Sequence, residues 1–296
     1  MKKKLLSLLL TFALVLSMTA CGQTTGNDNA ANTTQNTEVT SEEITETASE
    51  EENTETDSSD TLVTQYPVTV TDQTGRQVTI ESEPQKLVSG YYISTSLLIA
   101  LDLDEKLVGI EAKANKRPIY SLSAPELIDL PNVGTAKEFD LEGCIALEPD
   151  LVILPMKLKN TAEALEKLDI DVLYVNPENQ ELLTEMMTLI GTATNTQEKT
   201  KELMDFVEKQ ETALTDTLAN ADAPSVYLAG NSNMLSTAGE AMYQSHMITL
   251  AGGKNVAADI SDTYWVEIDY EQLLTWNPEY IILASDADYS VDDVLA

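Results

Sequence analysis

Two stretches of the chain repeat one pattern 129 positions apart. The first is Asp140-Leu141-Glu142-Gly143-Cys144-Ile145-Ala146-Leu147-Glu148-Pro149-Asp150-Leu151-Val152-Ile153-Leu154. The second is Asp269-Tyr270-Glu271-Gln272-Leu273-Leu274-Thr275-Trp276-Asn277-Pro278-Glu279-Tyr280-Ile281-Ile282-Leu283. Each reads as an N-cap Asp, a short helix, a turn carrying Pro and an acid, and a buried strand. The Asp accepts from the unpaired N–H groups of a first helical turn. The Pro cannot continue the helix. A chain that carries this unit twice is expected to fold as two similar α/β lobes.

The rest of the pattern agrees. Val68–Thr71 and Gln77–Ile80 alternate around Asp72-Gln73-Thr74-Gly75, a hairpin signature. Strands follow at Lys86–Gly90, Leu107–Ile110, Leu151–Leu154 and Val172–Val175, with helices at Ser94–Leu103, Thr161–Leu168 and Gln180–Ile190. Strands separated by helices predict a mainly parallel sheet. Thr196–Leu218 holds no Pro or Gly, and Leu203, Phe206, Val207, Leu214 and Leu218 form one helical stripe. Such a helix is long for a crossover and is expected to join the two lobes. Beyond Pro224 the alternation resumes with a strand at Val226–Ala229, helices at Tyr243–Leu250 and Tyr270–Thr275, and a strand at Tyr280–Ala284. Gly252-Gly253 suits a helix C-cap. The expected divisions are an N-terminal lobe at 66–193, an inter-lobe helix at 194–222 and a C-terminal lobe at 223–296. That last lobe is short and is expected to lack its final elements.

Charge narrows the partners. Fifty acids against 17 bases give a formal net charge of −33. No basic stripe is available to meet phosphates, which argues against nucleic acid. Eleven of the acids lie in residues 22–62, which hold no Lys or Arg and almost nothing able to form a core. Residues 22–65 are therefore expected to be a disordered linker. Ahead of it, Lys2, Lys3 and Lys4 precede an apolar run from Leu5 to Leu16, followed by Ser17-Met18-Thr19-Ala20-Cys21-Gly22. Residues 1–21 have the form of a signal peptide. Their small residues before one Cys resemble the lipobox of bacterial lipoproteins. That resemblance implies lipidation of Cys21 and a tether holding the folded part outside the cytoplasmic membrane. Cys144 then has no partner to join, and its place opposite Leu273 marks it as a buried apolar residue.

Residues 66–296 resemble the substrate-binding proteins of ABC importers for ferric siderophores, haem and cobalamin. The residues that carry the resemblance are the opening hairpin with Asp72 and Gly75, Val133-Gly134 ahead of Asp140, Glu148-Pro149-Asp150-Leu151-Val152-Ile153, and Leu250-Ala251-Gly252-Gly253-Lys254-Asn255. It implies a monomeric binding protein without catalysis and without an intrinsic cofactor. Its transported ligand would be an iron chelate, haem or cobalamin, and its partner a permease dimer. It also implies that one acid on each lobe docks on that permease. By position these acids are Glu142 and Glu271. Read from the residues alone, both are equally well placed to complement a helix dipole.

In two-lobed α/β proteins, ligands sit at the C-terminal ends of strands. The loops at such ends supply Tyr91, Tyr92, Lys116, Arg117, Tyr120, Met156, Lys157, Asn231, Asn233, Tyr243, Gln244, His246, Tyr264 and Trp265. Aromatic rings cover the flat apolar face of a chelate. Arg117, Lys116 and Lys157 would meet its anionic edges. His246, the only His, could ligate a haem iron axially or sit as an ordinary helix residue. Other ligands and classes remain open. A small oxyanion such as molybdate would need convergent N–H groups rather than aromatics. A surface enzyme on the same scaffold lacks any Ser/His/Asp case, nucleophile elbow or phosphate loop. A sensor or adhesion module would have no use for one acid per lobe.

Overall fold

The computed structural model describes residues 62–260, 263–285 and 287–295. The signal peptide, Cys21 and most of the expected linker lie outside the described residues. Strand β1 (Val68–Thr71) pairs antiparallel with β2 (Gln77–Ile80), placing Val68 opposite Ile80. Gly75 takes φ +83° in the turn, a conformation that favours glycine. Asp72 is buried at this turn. Its Oδ1 accepts from the backbone N–H groups of Thr74 and Arg76 at 2.9 and 3.1 Å. Its Oδ2 accepts from the N–H of Tyr174 at 3.3 Å, which ties the hairpin to the main sheet. The packed body begins before the expected boundary at Tyr66. The Thr64 hydroxyl donates to the carbonyl of Thr192 at 2.7 Å, and its N–H donates to Asn195 Oδ1 at 2.8 Å.

The N-terminal sheet has four parallel strands: β3 (Leu87–Ser89), β4 (Leu107–Ile110), β5 (Leu151–Pro155) and β6 (Asp171–Val175), in the order β4-β3-β5-β6. Alternation along each strand sends side chains to opposite faces. Leu87, Leu151, Ile153, Leu173 and Val175 enter one core. Val88, Val152, Leu154, Val172 and Tyr174 enter a second core on the other face. Helices α1 (Tyr92–Ala100), α2 (Pro118–Ser123), α3 (Leu141–Ala146), α4 (Ala162–Glu166) and α5 (Gln180–Ala193) accompany this sheet.

Helix α6 (Gln197–Leu218) has 22 residues, roughly 33 Å at 1.5 Å per residue. Its buried side chains Thr200, Leu203, Val207 and Glu211 lie three and four apart on one face. Phe206, Leu214 and Leu218 from the expected stripe are half-buried. A Cβ added at Gly191 would come within 2.3 Å of the Thr200 hydroxyl, so glycine permits this close approach of α5 and α6.

The C-terminal sheet is parallel as well: β7 (Ser225–Ala229) lies between β11 (Tyr280–Leu283) and β9 (Lys254–Asn255). Helix α7 (Tyr243–Leu250) ends at Ala251, followed by Gly252 at φ +83°. A separate antiparallel pair joins β8 (Ser236–Ala238) to β10 (Trp265–Glu267), and neither strand is expected from the sequence. Helices α8 (Tyr270–Trp276) and α9 (Val291–Leu295) complete the described elements. The fold is thus mixed α/β with two parallel sheets and the long α6 between them in sequence. Among the described residues, no helix is long and apolar enough to cross a membrane.

The two repeat copies form the same local structure. Asp140 accepts from the N–H of Gly143 at 2.9 Å, and Asp269 from that of Gln272 at 2.8 Å. Glu148 and Asn277 both turn left-handed, with φ +50° and +44°, before Pro149 and Pro278. Cys144 is fully buried in α3.

Candidate functional site

Parallel pairing brings the loops after β3, β4, β5 and β6 to one edge of the N-terminal sheet. Tyr91 and Tyr92 leave β3 and open α1, with their ring centroids 5.1 Å apart edge to face. Arg117 arrives from the loop after β4, and its guanidinium carbon lies 4.1 Å from the centroid of the Tyr92 ring. That is a cation–π contact. Glu178 arrives from the loop after β6. Its carbonyl accepts from the N–H of Tyr243, the first residue of α7, at 3.3 Å. Tyr243 thereby joins the group from the C-terminal half of the chain.

The phenols share one environment. Burial raises the pKa of Tyr91, Tyr92 and Tyr243. The Glu178 carboxylate raises each further, while the Arg117 guanidinium pulls Tyr91 and Tyr92 back down. All three hydroxyls stay protonated at neutral pH and are available as donors. Tyr92 remains exposed, whereas Tyr91 and Tyr243 are half-buried.

Beneath them lies Glu111, which sequence reasoning misses. This buried carboxylate accepts from Thr95 Oγ1 at 2.7 Å, from the Tyr120 hydroxyl at 2.8 Å and from Arg117 Nε at 3.2 Å. Burial pushes its carboxyl above the usual range, and the three donors oppose that shift. Three donors converging on both oxygens suit the ionised form. Glu111 therefore anchors Arg117 in place from below. Nothing in the sequence distinguishes it from other acids next to a strand end.

Tyr120 is corrected by this arrangement. The expectation that it lines a cleft fails, because it is fully buried (0% exposed) and serves Glu111. It lies on α2 rather than in a loop. Pro118 at the first helical position is the available signal, since proline is pre-organised there. His246 is also placed elsewhere. Its Nε2 faces Glu211 Oε1 of α6 at 3.8 Å, beyond hydrogen-bond reach, and burial lowers its pKa.

The other candidates are more scattered. Lys116 and Lys157 are exposed after β4 and β5. Asn231 is exposed after β7, and its carbonyl accepts from the N–H of Asp288 at 2.8 Å. Asn233 donates to Glu267 Oε2 at 2.8 Å, a link within the β8–β10 region. Trp265 and Tyr264 are exposed at β10, with Trp265 paired to Ala238. Met156 and Gln244 are half-buried. Glu142 and Glu271 are both exposed at the second position of α3 and α8. Among the described residues, no group of three or more His, Cys, Asp and Glu could hold a metal ion.

Residues 87–296 match the periplasmic binding protein family. The uncharacterised ABC transporter substrate-binding lipoprotein YvrC of Bacillus subtilis is 28% identical over 228 residues, covering 73% of this chain and 69% of that protein. The vitamin B12-binding protein of Salmonella typhi is 29% identical over 170 residues, covering 57% of this chain. The match takes in 64% of that relative, so less than two thirds of its length is spanned. A periplasmic solute-binding protein from Veillonella parvula DSM 2008 superposes with a TM-score of 0.64 at 28% identity, covering 77% of this chain and 71% of that one. The chain belongs to the periplasmic binding protein family.

Proposed function

We propose that this chain is the extracytoplasmic solute-binding component of an ABC importer, which captures a metal chelate and delivers it to a permease dimer. The observation that carries the reading is the grouping of Tyr91, Tyr92 and Tyr243 with Arg117 at the C-terminal edge of the N-terminal sheet. Aromatic faces suit a flat or bulky apolar chelate. Protonated phenols and one guanidinium supply orienting donors. Cobalamin, haem and ferric siderophores all fit that description, and the likeness to a vitamin B12-binding protein favours cobalamin among them. A small oxyanion is less well served, because three rings occupy the place where converging N–H groups would be needed.

Binding, and no catalysis, is the assigned role. Trp265, Tyr264, Lys157 and Asn231 are assigned to ligand contact in the same reading. Glu142 and Glu271 dock on the permease, one from each lobe. Cys21 carries a lipid, and the monomer is tethered to the outer face of the membrane by the linker expected at 22–65, whose end at Thr64 packs on the folded body. Lobe limits at 66–193 and 223–296, bridged by 194–222, accompany this reading. The absorption spectrum of protein purified from its native host tests it. A visible corrin spectrum, a Soret band or a broad ferric charge-transfer band is expected. Colourless protein whose Trp fluorescence responds to none of these chelates would sink the proposal.

A further inference from the structure

The aromatic group carries an unusual balance of charge for a site expected to meet anions. Among the described residues, Arg117 is the one cation in ring contact with it, and two carboxylates bear on the same place. Glu111 holds Arg117 Nε at 3.2 Å from below. Glu178 stands beside Tyr243, its carbonyl 3.3 Å from the Tyr243 N–H, and its charge raises the pKa of all three phenols. Lys116 and Lys157, both described, make no ion pair and no ring contact with this group. The Arg117 face is taken by the Tyr92 ring and its Nε by Glu111. Its terminal nitrogens are the edge left for a single ligand anion.

A ferric tris-catecholate is strongly anionic, and Glu111 and Glu178 set two carboxyl groups beside the one guanidinium in ring contact here. Like charges brought together in a partly dry cleft are costly, and specificity often rests on such repulsion. An uncharged corrinoid or a ferric trihydroxamate meets no such penalty. It can still use the rings and one guanidinium.

We propose that Glu111 and Glu178 determine specificity at this site, selecting a metal chelate of low net charge against polyanionic chelates. The inference rests on the chelate-binding reading above. Glu111 acts through Arg117 by fixing its place and offsetting its charge. Glu178 acts from its place beside Tyr243.

The test titrates the purified full chain with cyanocobalamin, a ferric trihydroxamate and a ferric tris-catecholate, followed by intrinsic fluorescence. In the wild type, the tris-catecholate is expected to bind at least about tenfold more weakly than the better of the other two, a gap of ~1.4 kcal/mol. Glu178→Gln should narrow that gap by about tenfold, because tris-catecholate binding gains more than cyanocobalamin binding changes. Glu111→Gln should shift preference in the same direction. Glu111 sits in a buried network, so Glu178→Gln, which keeps the backbone hydrogen bond to Tyr243, decides the matter if the Glu111 variant fails to fold. Equal or tighter binding of the tris-catecholate by the wild type would overturn the inference and leave the chelate reading intact. So would an unchanged preference in Glu178→Gln. Binding of none of the three, nor of haem, removes the chelate reading itself, and the inference falls with it.

Discussion

Asp150 and Glu279 perform the same task at matching positions of the two repeat copies. Asp150 Oδ2 accepts from the backbone N–H groups of Gln85 and Lys86 at 2.6 and 2.8 Å, just ahead of β3. Glu279 Oε1 accepts from the N–H of Ser225 at 2.9 Å, at the start of β7. In each sheet the strand that comes after the acid, β5 or β11, pairs with the strand the acid clamps. The acid thus sets the register of the two strands. This explains why an acid comes directly after Pro149 and Pro278 in both copies.

Removing either clamp strands backbone donors at a strand end. Asp150→Ala and Glu279→Ala should each cost about 0.5–1.5 kcal/mol, since Glu279 Oε1 accepts from both the N–H and the hydroxyl of Ser225. Urea unfolding of the two variants checks this. Losses below about 0.5 kcal/mol in both would mean that water replaces the carboxylates without penalty.

Tyr120 and Tyr92 are neighbours in the fold with different jobs. Tyr120→Phe removes one of the donors to buried Glu111 and should lower stability by about 1–2 kcal/mol. Chelate affinity should change by less than about threefold. Tyr92→Ala removes an exposed ring that stacks on Arg117, so the loss should fall on affinity, by about tenfold, with little change in stability. Paired chemical denaturation and fluorescence titration separate the two. An exchange of these effects would place Tyr120 on the ligand side after all.

His246 gives stability a pH dependence whose sign is set by burial. Its folded-state pKa lies below the ordinary value of 6.5 because the imidazole is partly desolvated. As pH falls through 6.5, the unfolded chain takes up this proton before the folded one does. Stability therefore declines from the ordinary histidine range downward, and levels off below the depressed value. Oε1 of Glu211, on α6, stands 3.8 Å from its Nε2. Unfolding of wild type and His246→Gln at pH 7.5, 6.5 and 5.5 should show the wild type losing more on acidification. A wild type that gains relative to the variant would mean that pairing with Glu211 outweighs burial.

The regular parts of this fold are readable in the sequence, and the tertiary ones are hidden. The hairpin, β4 and α7 have the boundaries expected of them, because alternation, turn residues and Gly252 are local signals. The three-residue strands β8 and β10 are not legible, since each is defined by a partner well over twenty positions away. The site divides in the same way. Tyr91, Tyr92, Arg117 and Tyr243 are legible because loops at strand ends are where a ligand sits in this class of fold. The same rule points to Tyr120, although its side chain turns inward. Glu111 is illegible because only its three donors identify it, and two of them lie on other elements.

Glu142 and Glu271 carry the last prediction. Both are exposed at the second position of helices already capped by Asp140 and Asp269. With the cap supplied, each acid adds only a dipole interaction, well under about 1 kcal/mol at an exposed site. Two acids at the same position of repeated units suit a partner with two similar subunits. Paired charges of that kind fix orientation more than raw affinity. The double variant Glu142→Gln with Glu271→Gln keeps size and helix propensity while removing both charges. It is expected to unfold within about 1 kcal/mol of wild type and to bind its chelate unchanged. Uptake by cells carrying the importer should nevertheless be largely lost. Each single variant should be milder, because the other acid still engages its own permease subunit. Full uptake by the double variant would return both acids to the dipole role. A collapse in chelate affinity would place them at the ligand instead of the permease.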